Sequence, residues 1–259
     1  MAIGVGAALG GVALLTLLTV KATFLLYMGA ALAVALRELD GALRSAKIRV
    51  PAVPVAAGGA AMLTCAYWAG SRATLAAYAL TVVAVLAWRL AGGTAGYVRD
   101  VTAGVFTASY LPLLASSVAA MLAPADGGRR VLVFIILTIC SDIGGYFAGI
   151  TLGKHKMAPV ISPKKTWEGL AGSAAACLLG GALTIPWLLH GHVWQGLITG
   201  AAAVAAATFG DLAESMIKRD LNIKDMGTLL PGHGGILDRI DSLLVSAPVV
   251  WLLLAAFIR

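Results

Sequence analysis

The stretch VLVFIILTICSDIGGYFAGITL, residues 131–152, indicates the class of fold. Its 22 residues contain a single charge, Asp142. A helix needs about 20 consecutive apolar residues to cross the hydrocarbon core of a bilayer, at about 1.5 Å per residue. A helix on the surface of a soluble protein would show a polar stripe, and this stretch has none. The stretch therefore predicts a membrane-spanning helix.

The rest of the chain has the same character. Hydrophobic residues make up 60% of the 259 residues and charged residues 12%, and the mean hydropathy is +0.92. Ordinary soluble domains contain about 25% charged residues. We therefore predict an all-α, polytopic membrane protein with about nine transmembrane helices. The predicted spans are residues 3–20, 22–36, 50–68, 74–90, 101–123, 131–152, 170–189, 193–209 and 243–258.

One feature of this organisation stays open. Only Lys21 separates the first two spans, so they could instead form one long kinked or re-entrant helix. We treat residues 1–259 as a single integral membrane domain. Within it, residues 1–130 supply N-terminal helices and residues 131–259 supply the catalytic helices and loops.

The basic residues predict the orientation in the membrane. Of the 19 lysines and arginines, 14 lie at or after the ends of spans two, four, six and eight, and five lie on the opposite side. Cytoplasmic loops of membrane proteins are enriched in basic residues. We therefore expect a multi-pass protein of the cell (inner) membrane whose polar segments, residues 153–169 and 210–241, both face the cytoplasm.

The first polar segment follows an acid inside an apolar run. Burying the Asp142 carboxylate would cost several kcal/mol unless another group pairs with it. An acid within a membrane-spanning segment is therefore a candidate functional residue. The alternative role of Asp142 is an interfacial helix cap together with Ser141. Downstream, GKHKMAPVISPKKTWEG (residues 153–169) contains four lysines and two prolines. A rigid, lysine-rich loop suits polyphosphate binding, and simple anchoring at the membrane surface is the alternative.

The second polar segment concentrates carboxylates. Residues 210–241 hold ten of the 31 charged residues of the chain. Asp211, Glu214 and Ser215 would share one face of a helix, and Asp238 and Asp241 have the same three-residue spacing. Mg²⁺ prefers a few oxygen ligands and leaves positions for water and substrate phosphates. The glycine-rich turn at residues 231–235 could bind an anion through its backbone N–H groups. A solvated acidic face is the alternative interpretation.

The stretch SMIKRDLNIKDMGTLLPGHGGILDRID, residues 215–241, resembles the C-terminal motif of the phosphatidate cytidylyltransferases, also called CDP-diacylglycerol synthases. ISPKKTWEG, residues 161–169, and the glycine-rich segment around Asp142 are also similar to that family. The resemblance covers roughly residues 140–241. The N-terminal half is similar only in being a set of spans.

The resemblance implies a reaction and its partners. Such an enzyme transfers CMP from CTP to phosphatidic acid and releases pyrophosphate. The lipid phosphate is itself the nucleophile, and catalysis consists largely of positioning and charge neutralisation. The expected cofactor is Mg²⁺, with a second cation left open. The expected partners are CTP, phosphatidic acid and membrane lipids, without nucleic acid, and a homodimer is left open.

The resemblance also implies site residues. The expected catalytic residues, and the expected metal ligands, are Asp211, Asp238, Asp241 and Asp142. The expected substrate-binding residues are Lys164, Lys165, Ser162, Ser215, Lys218, Arg219, Lys224, Asp225, His233, Gly234, Gly235 and Arg239.

Two alternative functions are kept. One is another lipid enzyme that uses CTP, such as a CDP-archaeol synthase or a CTP-dependent polyprenol kinase, which would differ in its acceptor. The other is a secondary transporter that uses Asp142 and broken helices.

Overall fold

The computed structural model describes residues 2–227 and 234–258, and these residues are mostly helical. The N-terminal helices are α1 (Ala2–Thr19), α2 (Lys21–Ser45), α3 (Ala52–Trp68), α4 (Gly70–Leu90), α5 (Tyr97–Ala108) and α6 (Leu114–Leu122), and a π-helical turn, Ser109–Leu113, joins α5 to α6. They are followed by α7 (Gly127–Thr151), the strands β1 (Lys156–Ala158) and β2 (Ser162–Thr166), and α8 (Trp167–Leu189), α9 (Val193–Asp220) and α10 (Leu237–Phe257).

The predicted class, an all-α polytopic membrane protein, is confirmed, but the count of nine spans is not. Among the described residues, seven segments are long and apolar enough to cross a membrane: α2, α4, the continuous stretch Tyr97–Leu122, and α7 to α10. Gly10–Thr19 and α3 are apolar but shorter.

Several boundaries differ from the prediction. Val20 has extended backbone angles, φ −133° and ψ 119°, so α1 and α2 are separate helices rather than one. Helix α2 continues to Ser45 instead of ending at residue 36, because buried Leu36, Leu39 and Leu43 extend its apolar face. Arg37 and Arg44, which follow the predicted end of this span, therefore lie on the helix and not in a loop.

The last two helices also differ from the prediction. Helix α9 continues to Asp220, which is 11 residues beyond the predicted end at residue 209. Asp211 and Glu214 therefore lie on this helix. Helix α10 begins at Leu237, six residues before the predicted start at residue 243.

The chain forms two compact units. The first comprises Met1–Ala123 and Asp220–Ile240, and the second comprises Pro124–Arg219 and Asp241–Arg259. The described residues of the segment 220–240 thus pack with the N-terminal helices, although the sequence groups this segment with the C-terminal half. The C-terminal motif is therefore divided between the two units.

Small residues hold the helices of the second unit together. A Cβ on Gly144 of α7 would lie 2.6 Å from the carbonyl oxygen of Gly172 on α8, so only glycine permits this approach. Beside it, the hydroxyl of Ser173 donates a hydrogen bond of 2.6 Å to the carbonyl of Ser141. Gly181 of α8 and Gly196 of α9 make an equally close contact. Such small-residue interfaces are typical of membrane helices.

The lysine-rich segment is an antiparallel hairpin and not the predicted loop. Strand β1 pairs with β2 in the register Lys156 with Thr166 and Ala158 with Ser162. The Thr166 hydroxyl then caps α8 by accepting a hydrogen bond of 3.1 Å from the Gly169 N–H. The hairpin is therefore attached directly to the first turn of α8.

Candidate active site

The second unit contains a polar cavity of about 350 Å³, lined by residues of α7, the hairpin, α8 and α9. Five of the predicted site residues line it: Asp142, Ser162, Lys164, Lys165 and Asp211. These residues come from three segments that are far apart in sequence. The structure thus brings the predicted lysine pair to two of the predicted carboxylates.

The alternation of strand β2 gives the two lysines different surroundings. Lys165 is half-buried, and its Nζ lies 2.5 Å from Oδ2 of Asp211. Lys164, its neighbour, is exposed. Successive side chains of a strand point to opposite faces, which accounts for the difference in burial, and both lysines line the cavity. Lys165 is therefore the lysine that directly contacts a predicted catalytic acid.

Asp142 lies inside α7, 15 residues after the helix begins. It is not an N-terminal helix cap, so that alternative is wrong. Gly145 and Gly149 follow it on the same face of α7 and also line the cavity. A Cβ on Gly145 would lie 2.5 Å from Oγ of Ser173, so this glycine lets α8 pack closely beside the cavity. A polar cavity accounts for a charge within a membrane-spanning segment.

Three carboxyl groups of the second unit form an acidic cluster: Asp211 and Glu214 on α9 and Asp241 on α10. A Cβ on Gly210 would lie 2.8 Å from the Asp241 carbonyl oxygen, so α9 approaches α10 closely beside Asp211. Asp241 interacts electrostatically with both Asp211 and Glu214. Glu214 and Asp241 are buried. A buried group of acids is stable only with a shared proton or a cation.

Cations from the end of α9 lie near this cluster. Lys218 Nζ lies 2.5 Å from Oε2 of Glu214, one helical turn away. Arg219 Nε donates a hydrogen bond of 3.3 Å to the carbonyl of Ile161, between the two strands. Ser215, on the same part of α9, is half-buried. Lys218 thus contacts the acidic cluster, and Arg219 contacts the hairpin. The predicted roles of these two residues in substrate binding stay predictions.

The predicted Mg²⁺ ligands can be examined against this arrangement. In the described part of the chain, no three His, Cys, Asp or Glu side chains are arranged to hold a metal ion by themselves. Mg²⁺ usually takes one or two carboxylates and fills its other positions with water and substrate phosphates. The neighbouring acids Asp211 and Asp241 fit that requirement, since a cation would offset the repulsion between their charges.

Asp238 lies in the first unit, near the start of α10. Its Oδ2 accepts hydrogen bonds from the backbone N–H of Gly235 at 2.7 Å and of Met226 at 3.0 Å. The carboxylate therefore joins the two described ends of the segment around the glycine-rich turn. Its predicted metal role, and that of the Asp211–Asp238 combination, stays a prediction.

The remaining predicted residues lie in or beside the same segment. Gly234 has φ of +76°, a left-handed conformation that favours glycine. A Cβ on Gly234 would lie 2.7 Å from Oδ2 of Asp238. The other predicted residues in this region are exposed: Lys224, Asp225 and Arg239. His233 lies outside the described residues.

Glu38 is a residue of this region that sequence reasoning missed. Its carboxylate, on α2, accepts hydrogen bonds from the N–H groups of Ile236 at 3.0 Å and Leu237 at 2.9 Å. A Cβ on Gly227 would lie 2.5 Å from Oε1 of Glu38, and one on Gly235 would also overlap the carboxylate. Glu38 therefore binds the N-terminus of α10 between two glycines. An acid at the polar end of an apolar run was the available signal.

Glu168 is a second residue that received no role from the sequence. Its Oε1 lies 2.6 Å from Nδ1 of His155, and its carboxylate also accepts the backbone N–H groups of Lys154 and His155. These contacts fasten the chain that leaves α7 to the first turn of α8. Glu168 thus positions the hairpin that holds Lys164 and Lys165.

Comparison with known proteins supports the function that the motifs implied. Residues 1–257 match the model of the cytidylyltransferase family. The chain is 39% identical to the phosphatidate cytidylyltransferase of Mycobacterium leprae, over 98% of this chain and 86% of the relative. It is also 39% identical to the enzyme of that name from Mycobacterium tuberculosis, over 98% of this chain and 81% of the relative.

A relative from another genus, Brucella, gives a shorter match. The phosphatidate cytidylyltransferase of Brucella suis is 39% identical over 156 residues, which are 60% of this chain and 57% of the relative. The match to the mycobacterial relatives covers nearly the whole chain, including the N-terminal helices, where the sequence motifs indicated no more than a set of spans. An enzyme is thereby favoured over the transporter alternative. By its match from residue 1 to residue 257, this chain belongs to the cytidylyltransferase family and is a nucleotidyltransferase.

Proposed function

We propose that this chain transfers CMP from CTP to phosphatidic acid, and so produces CDP-diacylglycerol for phospholipid synthesis and releases pyrophosphate. In this reaction a phosphate oxygen of the lipid forms a bond to the α-phosphorus of CTP, and the bond from that phosphorus to the bridging oxygen of the β-phosphate breaks. No protein nucleophile is needed. The names of the relatives and the charge pattern of the cavity support the proposal.

The observation that best supports the proposal is the Lys165–Asp211 contact inside the cavity. Two polyanions must meet in this reaction, so the site needs cations that can bind phosphate oxygens. Lys165 supplies an ammonium group that is already ordered by a carboxylate, and exposed Lys164 supplies a second one. When a triphosphate enters, the ammonium groups can bind its oxygens while Asp211 becomes available to a metal ion.

We assign the metal to the acidic cluster. Asp211 and Asp241 would hold Mg²⁺, and the ion would supply positive charge to stabilise the departing pyrophosphate. Glu214 and Lys218 would fix the helix face that presents Asp211. Asp142 and Asp238 are retained as further candidates. A second cation and a homodimer remain open parts of the proposal.

The site is proposed to open to the cytoplasm of the cell that makes the protein. CTP is a soluble, highly charged molecule and needs an aqueous entrance, whereas phosphatidic acid arrives within the membrane. Large apolar side chains beside the cavity residues on α7, Tyr146 and Phe147, are exposed in the way that suits lipid contact. The basic residues of the hairpin would face the cytoplasm by the positive-inside rule.

The test uses the purified full chain in detergent with phosphatidic acid, Mg²⁺ and CTP labelled either at the α-phosphate or at the γ-phosphate. Cytidylyl transfer puts the α-label into the extracted lipid and the γ-label into pyrophosphate. A CTP-dependent lipid kinase gives the opposite distribution, because it transfers the γ-phosphate. The γ-label in lipid, or no label in lipid from either nucleotide, would overturn the proposal.

The acceptor is tested in the same assay. Phosphatidic acid is compared with its diether analogue and with a free polyprenol, at equal mole fraction in the detergent micelle. We expect the diacyl phosphate to be used most efficiently. A higher kcat/KM for the diether lipid would instead support the CDP-archaeol synthase alternative.

A further inference from the structure

The first unit contains a second pocket, of about 1090 Å³, that shares no residue with the candidate active site. Five basic side chains line it: Arg44, Lys47, Arg49, Arg89 and Arg99. Among the described residues that line the pocket, Asp100 is the single acid. They belong to the end of α2, the segment that follows it, the end of α4 and the start of α5. Such an excess of positive charge attracts an anion.

Asp100 organises the pocket from inside. It is 1% exposed and accepts hydrogen bonds from Arg89 Nε at 3.0 Å, from Arg99 Nε at 3.2 Å and from the Arg49 N–H at 3.1 Å. Arg89 also donates to the carbonyls of Gly93 and Ala95. One buried carboxylate thus fixes two guanidinium groups and a loop. Groups held in place in this way lose little entropy when they bind a ligand.

The side chains of Lys47 and Arg49 take no part in the hydrogen bonds around Asp100 described above. Among the described residues, neither Lys47 nor Arg49 has a carboxylate within ion-pair distance of its side chain. Both side chains are exposed, whereas Arg44 is paired with Asp40 at 2.8 Å. Lys47 and Arg49 are therefore available to an anion.

The backbone of Lys47 supplies an independent observation. Lys47 has φ of +62°, and its N–H bonds to the Arg44 carbonyl at 2.9 Å, directly after the end of α2. Glycine is the usual residue at this left-handed position, because other residues are strained there. Strained residues that persist in a fold are concentrated at functional sites. The lysine side chain is thus present where the fold alone favours glycine.

The surroundings of the pocket indicate a lipid and not a soluble anion. The pocket lies at the ends of the apolar segments α2, α4 and Tyr97–Leu122, where a membrane-spanning helix meets the headgroup region. Trp88 and Leu90 on either side of Arg89, and Val98 next to Arg99, have exposed fractions of 55%, 68% and 76%. Tryptophan is enriched at membrane interfaces. Acyl chains could therefore lie against these apolar side chains while a phosphate enters the pocket.

We propose that this pocket binds the phosphate headgroup of an anionic phospholipid through Lys47 and Arg49, at a site separate from the candidate active site. Basic pockets between the ends of transmembrane helices commonly bind such headgroups. The chemistry recognised is a phosphate on a glycerolipid. The proposal does not depend on which acceptor the enzyme uses.

The test measures lipid binding to the detergent-solubilised full chain by native mass spectrometry. The probe is phosphatidylglycerol, which has one phosphate diester and is not the proposed acceptor, and neutral phosphatidylcholine is the reference lipid. The test variants are Arg49→Gln and Lys47→Gly. The matched control is Arg37→Gln, which removes one exposed charge from the same end of α2 but does not line the pocket.

We expect phosphatidylglycerol to bind more tightly than phosphatidylcholine. Each test variant should weaken its binding roughly fivefold, the effect of one basic residue at an anionic surface. The Arg37→Gln variant should bind nearly as the unaltered chain does. Lys47→Gly should in addition raise the unfolding temperature, because glycine relieves the left-handed strain, and a purely structural role would not lower lipid binding in a more stable protein.

Three results would overturn the proposal. Equal binding of the two lipids would show that the pocket does not select a charge. An equal loss in Arg37→Gln would reduce the effect to general surface charge. Displacement of phosphatidylglycerol by an equal concentration of glycerol 3-phosphate would assign the pocket to a soluble phosphate.

Discussion

The contact between Lys165 and Asp211 lies at the centre of the proposed chemistry. The two side chains are 25% and 33% exposed, so water screens their attraction and the pair contributes little to folding. A partly exposed pair is also easily exchanged for contacts with a ligand. Substitutions here should therefore change activity much more than stability, and the two effects can be measured separately.

The Asp211→Asn variant should abolish turnover. Asparagine keeps the size and one acceptor oxygen of aspartate but removes the charge that would hold Mg²⁺ and order Lys165. The rate is measured with CTP and phosphatidic acid over a range of Mg²⁺ concentrations, together with the unfolding temperature. Asp220→Asn, an exposed change at the end of the same helix, is the matched control. A folded Asp211→Asn enzyme with an unaltered rate would mean that the acidic cluster is not catalytic.

The Asp238→Asn variant belongs to the same prediction but should affect two properties. Loss of the charge should abolish turnover, as at Asp211. Oδ2 of Asp238 also accepts two backbone N–H groups, from Met226 and Gly235, and the neutral amide oxygen of asparagine is a weaker acceptor than a charged carboxylate oxygen. We therefore expect a lower unfolding temperature as well. Unaltered turnover in a folded protein would assign Asp238 to the loop alone.

The Lys165→Ala variant should lower kcat/KM at least about tenfold, because a charge-assisted contact to phosphate contributes roughly 1.5–3 kcal/mol. Lys164→Ala is measured beside it, since Lys164 lines the same cavity. Lys156→Ala removes an exposed lysine of strand β1 and serves as the control. If both Lys164→Ala and Lys165→Ala have normal kinetics, the hairpin is only an anchor at the membrane surface.

Among the secondary-structure elements, the ends of helices matter most. The N-terminus of α10 has backbone N–H groups without partners in the helix, and the carboxylate of Glu38 from α2 accepts two in this region, from Ile236 and Leu237. A negative charge at this end also interacts favourably with the helix dipole. One side chain of the N-terminal helices thereby positions the start of α10, where Asp238 lies.

The Glu38→Ala variant should be destabilised by roughly 2–4 kcal/mol, because two backbone donors lose their acceptor. It should also lose turnover, since the start of α10 is no longer held. Glu38→Gln keeps one acceptor oxygen and should show a smaller loss of both properties. The unfolding temperature and kcat are measured for each variant.

The matched control for Glu38 is Arg37→Ala, a change to the same residue at the exposed neighbouring position of α2. It should leave stability and turnover almost unaltered. Stability and turnover in Glu38→Ala as high as in this control would contradict the positioning role.

The membrane orientation concerns the whole molecule. The 14-to-5 distribution of basic residues predicts that Lys164 and Lys224 both face the cytoplasm. In a variant without the three native cysteines, Lys164→Cys and Lys224→Cys are each labelled with a membrane-impermeant thiol reagent. We expect labelling only in inside-out vesicles or opened cells. Arg72→Cys, on the opposite side, should label in intact cells, and labelling of Lys164→Cys there would contradict the orientation.

The sequence alone established the class of the protein and located its polar segments. Long apolar runs have one stable environment, a bilayer, because backbone polar groups there must be satisfied within helices. For the same reason, charges in such a chain occur where they have a use, so Asp142, Lys165 and Asp211 could be selected by composition and motif. Helix ends were predicted less accurately, because α2 and α9 continue past the ends of their predicted apolar spans.

Tertiary structure alone determined which of these residues meet. Lys165 and Asp211 are 46 positions apart, and Glu38 and Leu237 are 199 positions apart. Such contacts depend on how closely helices approach, and that is set by small residues such as Gly210 packed against α10. A local pattern specifies which face of a helix is polar, but not which helix lies against that face. For that reason, the role of Glu38 and the basic pocket of the first unit could be identified only in the folded structure.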